Sequence, residues 1–213
     1  MRPSPFTYHQ PATLAEALAA MAAGAVPLAG GQSLLQAMRL REIEPATLCA
    51  LGQISELDAN IEVLPEVIRI GALVTHRELA DHAHIKQQMP WLSEAAAALG
   101  DVQVRNLGTV LGNVCWADPR ANLAVALLAS DATIIVASQA EQFERLPIGE
   151  FFTGFRLNAL GARLAVAIEI PRPAQARGTY REFSRQPQDL ALVNIAVVRT
   201  NRTVAIAVGG IDA

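Results

Sequence analysis

The sequence predicts an α/β or α+β fold, and three observations lead to this prediction. Short apolar runs of strand type alternate with segments whose apolar residues recur at helical spacing, as in mixed folds. The chain has 213 residues, which is long enough to bury a substantial core. Hydrophobic residues make up 52% of it and charged residues only 17%, so we expect part of the surface to be buried against another chain.

Capping residues and glycines predict the elements of the first half of the chain. Thr13 begins a helix that Gly24 ends, and Glu16 completes a capping box. Thr75 begins a later helix, with Glu78 three residues on. The predicted elements are, in order, a helix at 11–24, a strand at 25–31, a helix at 32–40, a strand at 46–51, a hairpin at 61–73, and helices at 75–83 and 90–99.

The second half begins with residues 103–113, which are strand-like and punctuated by glycine. Beyond them the sequence predicts a loop and a buried helix within 115–132, a strand at 133–138, an irregular segment at 146–155, and strands at 162–171 and 203–213. The Pro- and Gly-rich stretch 171–179 predicts a boundary. We therefore expect one domain of two subdomains at 1–173 and the start of an incomplete second domain at 174–213.

Composition excludes several function classes. The net charge is −3, with Lys and Arg scattered, so nucleic acid is not an expected partner. The sequence has no run of eighteen apolar residues and no signal-peptide core, which predicts a cytoplasmic protein without membrane insertion. Its two cysteines, Cys49 and Cys115, suit a reducing compartment and are too few for an iron–sulfur cluster. The four histidines lack metal-site spacing, so no metal site is predicted.

Two glycine-rich stretches are candidates for binding an anion. In "AGGQS" (29–33), a glycine pair between a predicted strand and helix allows close approach to a ligand, and the free amides favour phosphate. The alternative is a tight turn with a capping serine, and for this stretch alone the alternative is the commoner. "GTVLGN" (108–113) has the same character, and its alternative is a β-bulge or barrel corner.

Neither stretch has the dinucleotide-binding or P-loop pattern. Both carry hydroxyl groups and neither contains a basic residue, which together suggests a diphosphate bound mainly by backbone amides. Trp116 and Cys115 follow the second stretch, and either proximity to a ligand or packing suits them. Arg105 could reach the diphosphate or pair with Asp101. No catalytic Ser–His–Asp arrangement or carboxylate pair stands out.

Four segments carry a resemblance to a known family: "FTYHQPATLAEALA" (6–19), "PLAGGQSLLQAMRL" (27–40), "GDVQVRNLGTVLGNVCWADPRANL" (100–123) and "YREFSRQPQDLALVNIAVV" (180–198). Together they resemble the FAD-binding (medium) subunit of molybdenum hydroxylases, which include carbon monoxide dehydrogenase and the xanthine dehydrogenase relatives. The resemblance implies two α/β subdomains of the vanillyl-alcohol-oxidase/UDP-acetylenolpyruvoylglucosamine-reductase type, with FAD between them and a smaller C-terminal α+β domain, truncated here.

The resemblance also implies a function and a set of cofactor-binding residues. FAD would take electrons from iron–sulfur clusters of a small partner subunit and pass them to an acceptor, while a large subunit carries molybdopterin, so we expect a hetero-oligomer. The residues implied to bind FAD are Ala29, Gly30, Gly31, Gln32, Ser33, Thr109, Leu111, Gly112, Asn113, Asn122, Leu164 and Arg181. Tyr180 falls near the flavin ring in the family, and packing at the domain boundary is the alternative.

This sequence departs from the family pattern in two side chains. Leu111 stands where the family has glycine, and its side chain could block the diphosphate or forbid a positive φ. Asn122 replaces an acidic residue. These changes, with the short C-terminus, raise a rival hypothesis: a flavin-free member of the fold that serves as a scaffold subunit.

Overall fold

A computed structural model describes residues 2–139, 142–172, 175–186 and 188–211. The helices are α1 (Leu14–Ala22), α2 (Leu34–Leu40), α3 (His76–Asp81), α4 (Ala83–Gln88), α5 (Pro90–Ala97), α6 (Val102–Leu107), α7 (Val110–Trp116), α8 (Asn122–Ala129) and α9 (Ile148–Phe151). The strands are β1 (Thr7–His9), β2 (Val26–Leu28), β3 (Thr47–Ala50), β4 (Ile61–Val63), β5 (Val67–Gly71), β6 (Thr133–Ala137), β7 (Phe143–Pro147), β8 (Phe152–Gly154), β9 (Leu157–Asn158), β10 (Leu164–Pro171), β11 (Arg177–Phe183), β12 (Val193–Arg199) and β13 (Val204–Gly209).

A small parallel sheet forms the N-terminal unit, with the strand order β1-β3-β2. The predicted helix caps are present in α1: Thr13 accepts a hydrogen bond from the Glu16 amide, and Gly24 leaves the helix with φ +93°. The Glu16 carboxylate accepts from the Ala12 amide rather than closing the full capping box. Because β2 ends at Leu28, the glycine stretch that follows lies at the end of this sheet.

The second unit is a five-stranded antiparallel sheet, ordered β4-β5-β10-β6-β7. Its central strand, β10, is almost entirely buried and bends at a bulge between Ala165 and Ala167. Helix α7 packs on this strand, and α8 packs on α5 and α7. The two units are the α/β subdomains that the fold prediction called for.

Strands β11, β12 and β13 form a separate antiparallel sheet whose inner face packs on α5 and α8. A Cβ at Gly178 would lie 2.6 Å from the Trp91 ring, and Trp91, 1% exposed, donates its indole N–H to Ser130 Oγ at 2.8 Å. Tyr180 is 3% exposed on the same face, so the packing alternative describes this residue. The outer face exposes apolar side chains, with Phe183 64%, Val204 60% and Ile206 64% exposed.

The prediction of strand-like structure at 103–113 is wrong, because the segment forms α6 and the start of α7. Asp101 begins α6 by accepting from the Gln103 and Val104 amides at 2.8 and 2.9 Å, and Thr109 begins α7. These caps and packing on neighbouring helices outweigh the strand propensity of the valines. Arg105 neither pairs with Asp101 nor lines a ligand cavity; its guanidinium donates to the Leu99 and Gly100 carbonyls.

The segment 75–83 contains α3 and the first residue of α4, since the chain is extended at His82 between the two helices. The segment 146–155 contains the end of β7, all of α9 and β8 rather than irregular structure. The predicted boundary at 173/174 lies outside the described residues. Within the described ranges, no helix has the length and apolarity to cross a bilayer.

Candidate cofactor-binding site

A cavity of about 460 Å³ lies between the parallel sheet and the unit built on β10. Its volume is within the range of small-molecule sites, about 300–1,000 Å³. Eleven predicted site residues line it: Ala29, Gly30, Gly31, Gln32, Ser33, Thr109, Leu111, Gly112, Asn113, Asn122 and Leu164. The tertiary structure therefore brings together residues as distant in the chain as Ala29 and Leu164.

The first glycine stretch, residues 29–33, needs glycine at two positions for two different reasons. Gly31 has a φ of +71°, which side chains other than glycine rarely adopt. At Gly30, a Cβ would overlap the Leu107 carbonyl oxygen and lie 2.8 Å from the Gly108 Cα. Ser33 makes no side-chain capping hydrogen bond to α2. The serine therefore does not cap α2 as the alternative of a tight turn with a capping serine requires.

The second glycine stretch, residues 108–113, is fixed by hydrogen bonds to the segment before α3. The Val110 amide donates to the Val74 carbonyl at 2.9 Å, and the His76 amide donates to the Gly108 carbonyl at 3.0 Å. Thr109 begins α7 and its hydroxyl accepts from the Gly112 amide at 3.2 Å. These bonds fix the position of the second stretch. Gly30 of the first stretch lies against its Gly108 backbone.

Free backbone donors remain where the two stretches meet. Among the hydrogen bonds between described residues, none uses the amides of Gln32, Ser33 or Leu111. Helices α2 and α7 are only seven residues long, so the individual N–H groups matter more here than a macrodipole. The arrangement offers unused amide donors from both stretches to an anion in the cavity.

Leu111 does not create the obstacle that its sequence position suggested. It is the second residue of α7, its φ is not positive, and its side chain is 3% exposed within the hydrophobic core. Leu111 belongs to the buried core and also lines the cavity, so a leucine at this position leaves the cavity between the two stretches open. A leucine is compatible with this backbone.

Asn113 and Asn122 supply side-chain amides to the cavity. Asn113 Oδ1 is buried and has no hydrogen-bond partner within the described chain. Asn122 is the first residue of α8, is 6% exposed and lies 3.4 Å from the amide of the buried Asn194. A buried amide oxygen without a partner is unfavourable by roughly 1–3 kcal/mol, which a ligand hydroxyl or amine would relieve.

Arg181 is the one predicted site residue that the structure places away from the cavity. Its side chain is 72% exposed and donates to Glu94 at 3.4 Å and to the Tyr180 carbonyl at 2.6 Å. Side chains alternate along a strand, and β11 directs Tyr180 inward, so Arg181 points outward. The predicted contact of Arg181 with the flavin has no support from this geometry.

The cavity carries little net charge. Among the described residues, its charged side chains are Arg163 and Asp189, and Arg163 is already bonded to Glu144 at 2.5 Å. Burial raises the pKa of the Cys115 thiol to about 12, so the thiol stays protonated and is no nucleophile. Burial, with a smaller effect of the Arg105 charge, lowers the pKa of His76 to about 4, so its imidazole is neutral at pH 7.

Sequence reasoning missed several residues that line the cavity, including His76, Leu99, Gly100 and the segment Gln188–Leu190. No local motif marks them, because each reaches the cavity only through packing of distant segments. Trp116 does line the cavity. Arg156, on the hairpin β8–β9, places its guanidinium 4.9 Å from the centroid of the Trp116 ring.

The residues present fit FAD. At Gly30 a Cβ would overlap the facing backbone, so only glycine allows this close approach. Unused amides lie beside it, and a bound diphosphate requires such donors. The unpartnered Asn113 oxygen offers an acceptor to a hydroxyl-bearing group. Leu164, Ala165 and Trp116 provide an apolar wall suited to an aromatic ring system. Searched within the described residues, His, Cys, Asp and Glu form no cluster of three that could hold a metal ion.

Comparison with known proteins agrees with this geometry. A model of the family described as "FAD binding domain in molybdopterin dehydrogenase" matches residues 4–173. The chain is 36% identical over 206 residues to the 6-hydroxypseudooxynicotine dehydrogenase complex subunit alpha of Paenarthrobacter nicotinovorans, covering 94% of this chain and 69% of that protein. It is 32% identical over 200 residues to the glyceraldehyde dehydrogenase medium chain of Sulfolobus acidocaldarius, covering 92% of this chain and 70% of that one.

The solved structure of carbon monoxide dehydrogenase from Hydrogenophaga pseudoflava contains a similar chain. The match has a TM-score of 0.91 at 30% identity and covers 98% of this chain and 76% of the other. The similarity therefore extends over both glycine stretches and the C-terminal sheet. The chain belongs to the family of FAD-binding domains of molybdopterin dehydrogenases.

Proposed function

We propose that the cavity holds FAD with its diphosphate between residues 29–33 and residues 109–113. The close contact of Gly30 with Gly108, next to unused amides, is the observation that carries this proposal. Asn113 and Asn122 would hydrogen-bond the polar parts of the cofactor, and Leu164 would pack against it. The match of the family model to residues 4–173 supports assigning residues 1–173 to this domain.

FAD, when bound, supplies both one- and two-electron redox chemistry. The chain's own residues bind and orient it. The glycine stretches would hold the diphosphate, and the protonated Cys115 thiol and the neutral His76 imidazole add no nucleophile or charge of their own to the cavity. The role of this chain is therefore to place a redox cofactor in a fixed position for electron transfer, as in the family.

We further propose that the electrons come from iron–sulfur clusters of a small partner subunit and that a large subunit carries molybdopterin. Similar proteins are named as a medium chain or as a subunit of a dehydrogenase complex, which supports a hetero-oligomer. The two cysteines here are both free and cannot form a cluster site by themselves. They also suit a reducing compartment such as the cytoplasm.

The rival function, a flavin-free scaffold, rested in part on Leu111. Since the Leu111 side chain packs in the core and its backbone is helical, the structure favours the flavoprotein.

Titration of the purified protein with FAD tests the proposal. We expect the flavin absorption bands to shift and the flavin to remain with the protein through gel filtration, at one FAD per chain. If the folded protein, with intact circular dichroism, retained no flavin at any concentration tested, the proposed function would be wrong.

A further inference from the structure

His76 is a cavity residue that belongs to neither glycine stretch. It follows Thr75 at the start of α3, and its backbone amide donates to the Gly108 carbonyl at 3.0 Å. The residue is 2% exposed, and its imidazole lines the cavity. It therefore reaches the site from a third segment of the chain.

The His76 imidazole lies where the two glycine stretches meet. A Cβ built on Gly108 would lie 3.1 Å from His76 Cδ2 and 3.4 Å from Gln32 Cγ. Gly108 also touches Gly30. The ring thus lies against the same backbone segment that the first glycine stretch contacts.

The imidazole has an unused hydrogen-bonding atom. His76 Nδ1 is buried and has no hydrogen-bond partner within the described chain. A buried polar atom without a partner is unfavourable, and an apolar side chain of similar size would avoid this cost. The ring lies against Gly108 next to the Gln32 side chain, and the amides of Gln32 and Ser33 are unused, so a ligand received by those amides can supply the missing partner.

We propose that His76 is a third binding element for the FAD diphosphate and that its imidazole donates a hydrogen bond from Nδ1 to a phosphate oxygen. This inference depends on the proposed function, because it names a further contact of the same cofactor. It assigns to α3 a direct part in binding: the His76 amide holds the second glycine stretch, and the His76 ring contacts the anion that this stretch binds.

Two substitutions in the full chain test the proposal. His76→Leu removes the hydrogen bond and fills much of the same volume, whereas His76→Asn keeps a polar nitrogen near the position of Nδ1. We expect His76→Leu to weaken FAD binding by about ten- to a hundredfold, the usual loss for one hydrogen bond to a charged group. His76→Asn should stay within about threefold of wild type. His84→Leu, at an exposed histidine, is the matched control and should leave the affinity unchanged.

Two smaller probes locate the contact. ADP has the diphosphate without the flavin, and riboflavin has the flavin without phosphate. We expect His76→Leu to weaken ADP binding by the same factor as FAD binding and to leave riboflavin binding unchanged. Equal loss of both probes would show a general structural effect and would overturn the proposal.

Thermal unfolding without ligand checks the fold of each variant. If His76→Leu fails to fold, NMR of the imidazole nitrogens in the wild-type protein decides, since ADP should shift the Nδ1 signal of His76 and leave that of His84 in place. An unshifted His76 signal in the ADP-bound protein would overturn the proposal. If the wild-type protein and His76→Leu bound FAD equally well, only the role of His76 would be refuted. If the wild-type protein bound no FAD, the proposed function would be refuted.

Discussion

Gly30→Ala adds one methyl group at the point where the two glycine stretches touch. The new Cβ would overlap the Leu107 carbonyl oxygen and lie 2.8 Å from both the Leu107 carbonyl carbon and the Gly108 Cα. All three are backbone atoms, so no side chain can rotate away. The second stretch is also held by the Val110–Val74 hydrogen bond, which opposes its displacement.

The expected cost follows from this geometry. Forcing one extra methyl group into a packed site lowers the free energy of unfolding by about 1–3 kcal/mol. For a chain of this size, each 1 kcal/mol lowers the melting temperature by about 2–4 °C, so we expect a decrease of roughly 2–12 °C. FAD binding should also weaken by about tenfold or more, because the added methyl group pushes the two stretches apart. A tenfold loss of affinity corresponds to about 1.4 kcal/mol of binding free energy.

Thermal unfolding and FAD titration measure the two effects, and Gly149→Ala is the matched control. A Cβ at Gly149 meets nothing within 4 Å and the residue is in α9, so this change should leave FAD affinity unchanged and stabilise the protein slightly. Wild-type stability and affinity in Gly30→Ala would show that the two stretches do not approach this closely, and the description of the site would have to be abandoned.

Three further predictions concern the core, a helix cap and the effect of pH. Leu111→Gly should lower the free energy of unfolding by about 3–5 kcal/mol, because it empties a core position and puts glycine in a helix. It should not improve FAD affinity. Urea unfolding measures the first effect and FAD titration the second. Thr109→Ala should cost about 1 kcal/mol through loss of the α7 cap, whereas Thr109→Ser should be close to wild type in the same urea assay. His76 has a folded pKa of about 4 against 6.5, because of burial and then the Arg105 charge, so its contribution to stability is complete above about pH 6.5 and is lost as the pH falls toward 4. Urea unfolding at about pH 8 and pH 5 should show wild type losing about 2 kcal/mol more than His76→Leu over that interval, and equal losses in the two proteins would contradict the lowered pKa.

The sequence predicted most of the fold because its signals are local. The N-cap Thr13, the terminator Gly24 and the capping pair Thr75 and Glu78 all act within one helical turn, and the structure contains each of these boundaries. The buried helix α8 likewise follows from a continuous apolar run. The error at 103–113 has a tertiary cause, since the valines there favour a strand until the caps at Asp101 and Thr109 and packing on α3 decide for helix.

The candidate site divides in the same way. The residues of the two glycine stretches could be predicted, because glycine pairs and hydroxyl-bearing residues carry a local signature for close approach to an anion. Arg181 illustrates the limit of resemblance: its sequence position matches the family, yet the alternation along β11 directs it to solvent.

By itself, then, the sequence determined most of the element types, the two glycine stretches and the resemblance that names their cofactor. Only the tertiary structure decided that Gly30 contacts Gly108, that Leu111 turns into the core, and that His76 reaches the cavity with an unpartnered nitrogen. The physical reason is one of range. Caps and turns depend on neighbouring residues, whereas contact across the cavity depends on how the parallel sheet packs against the unit built on β10.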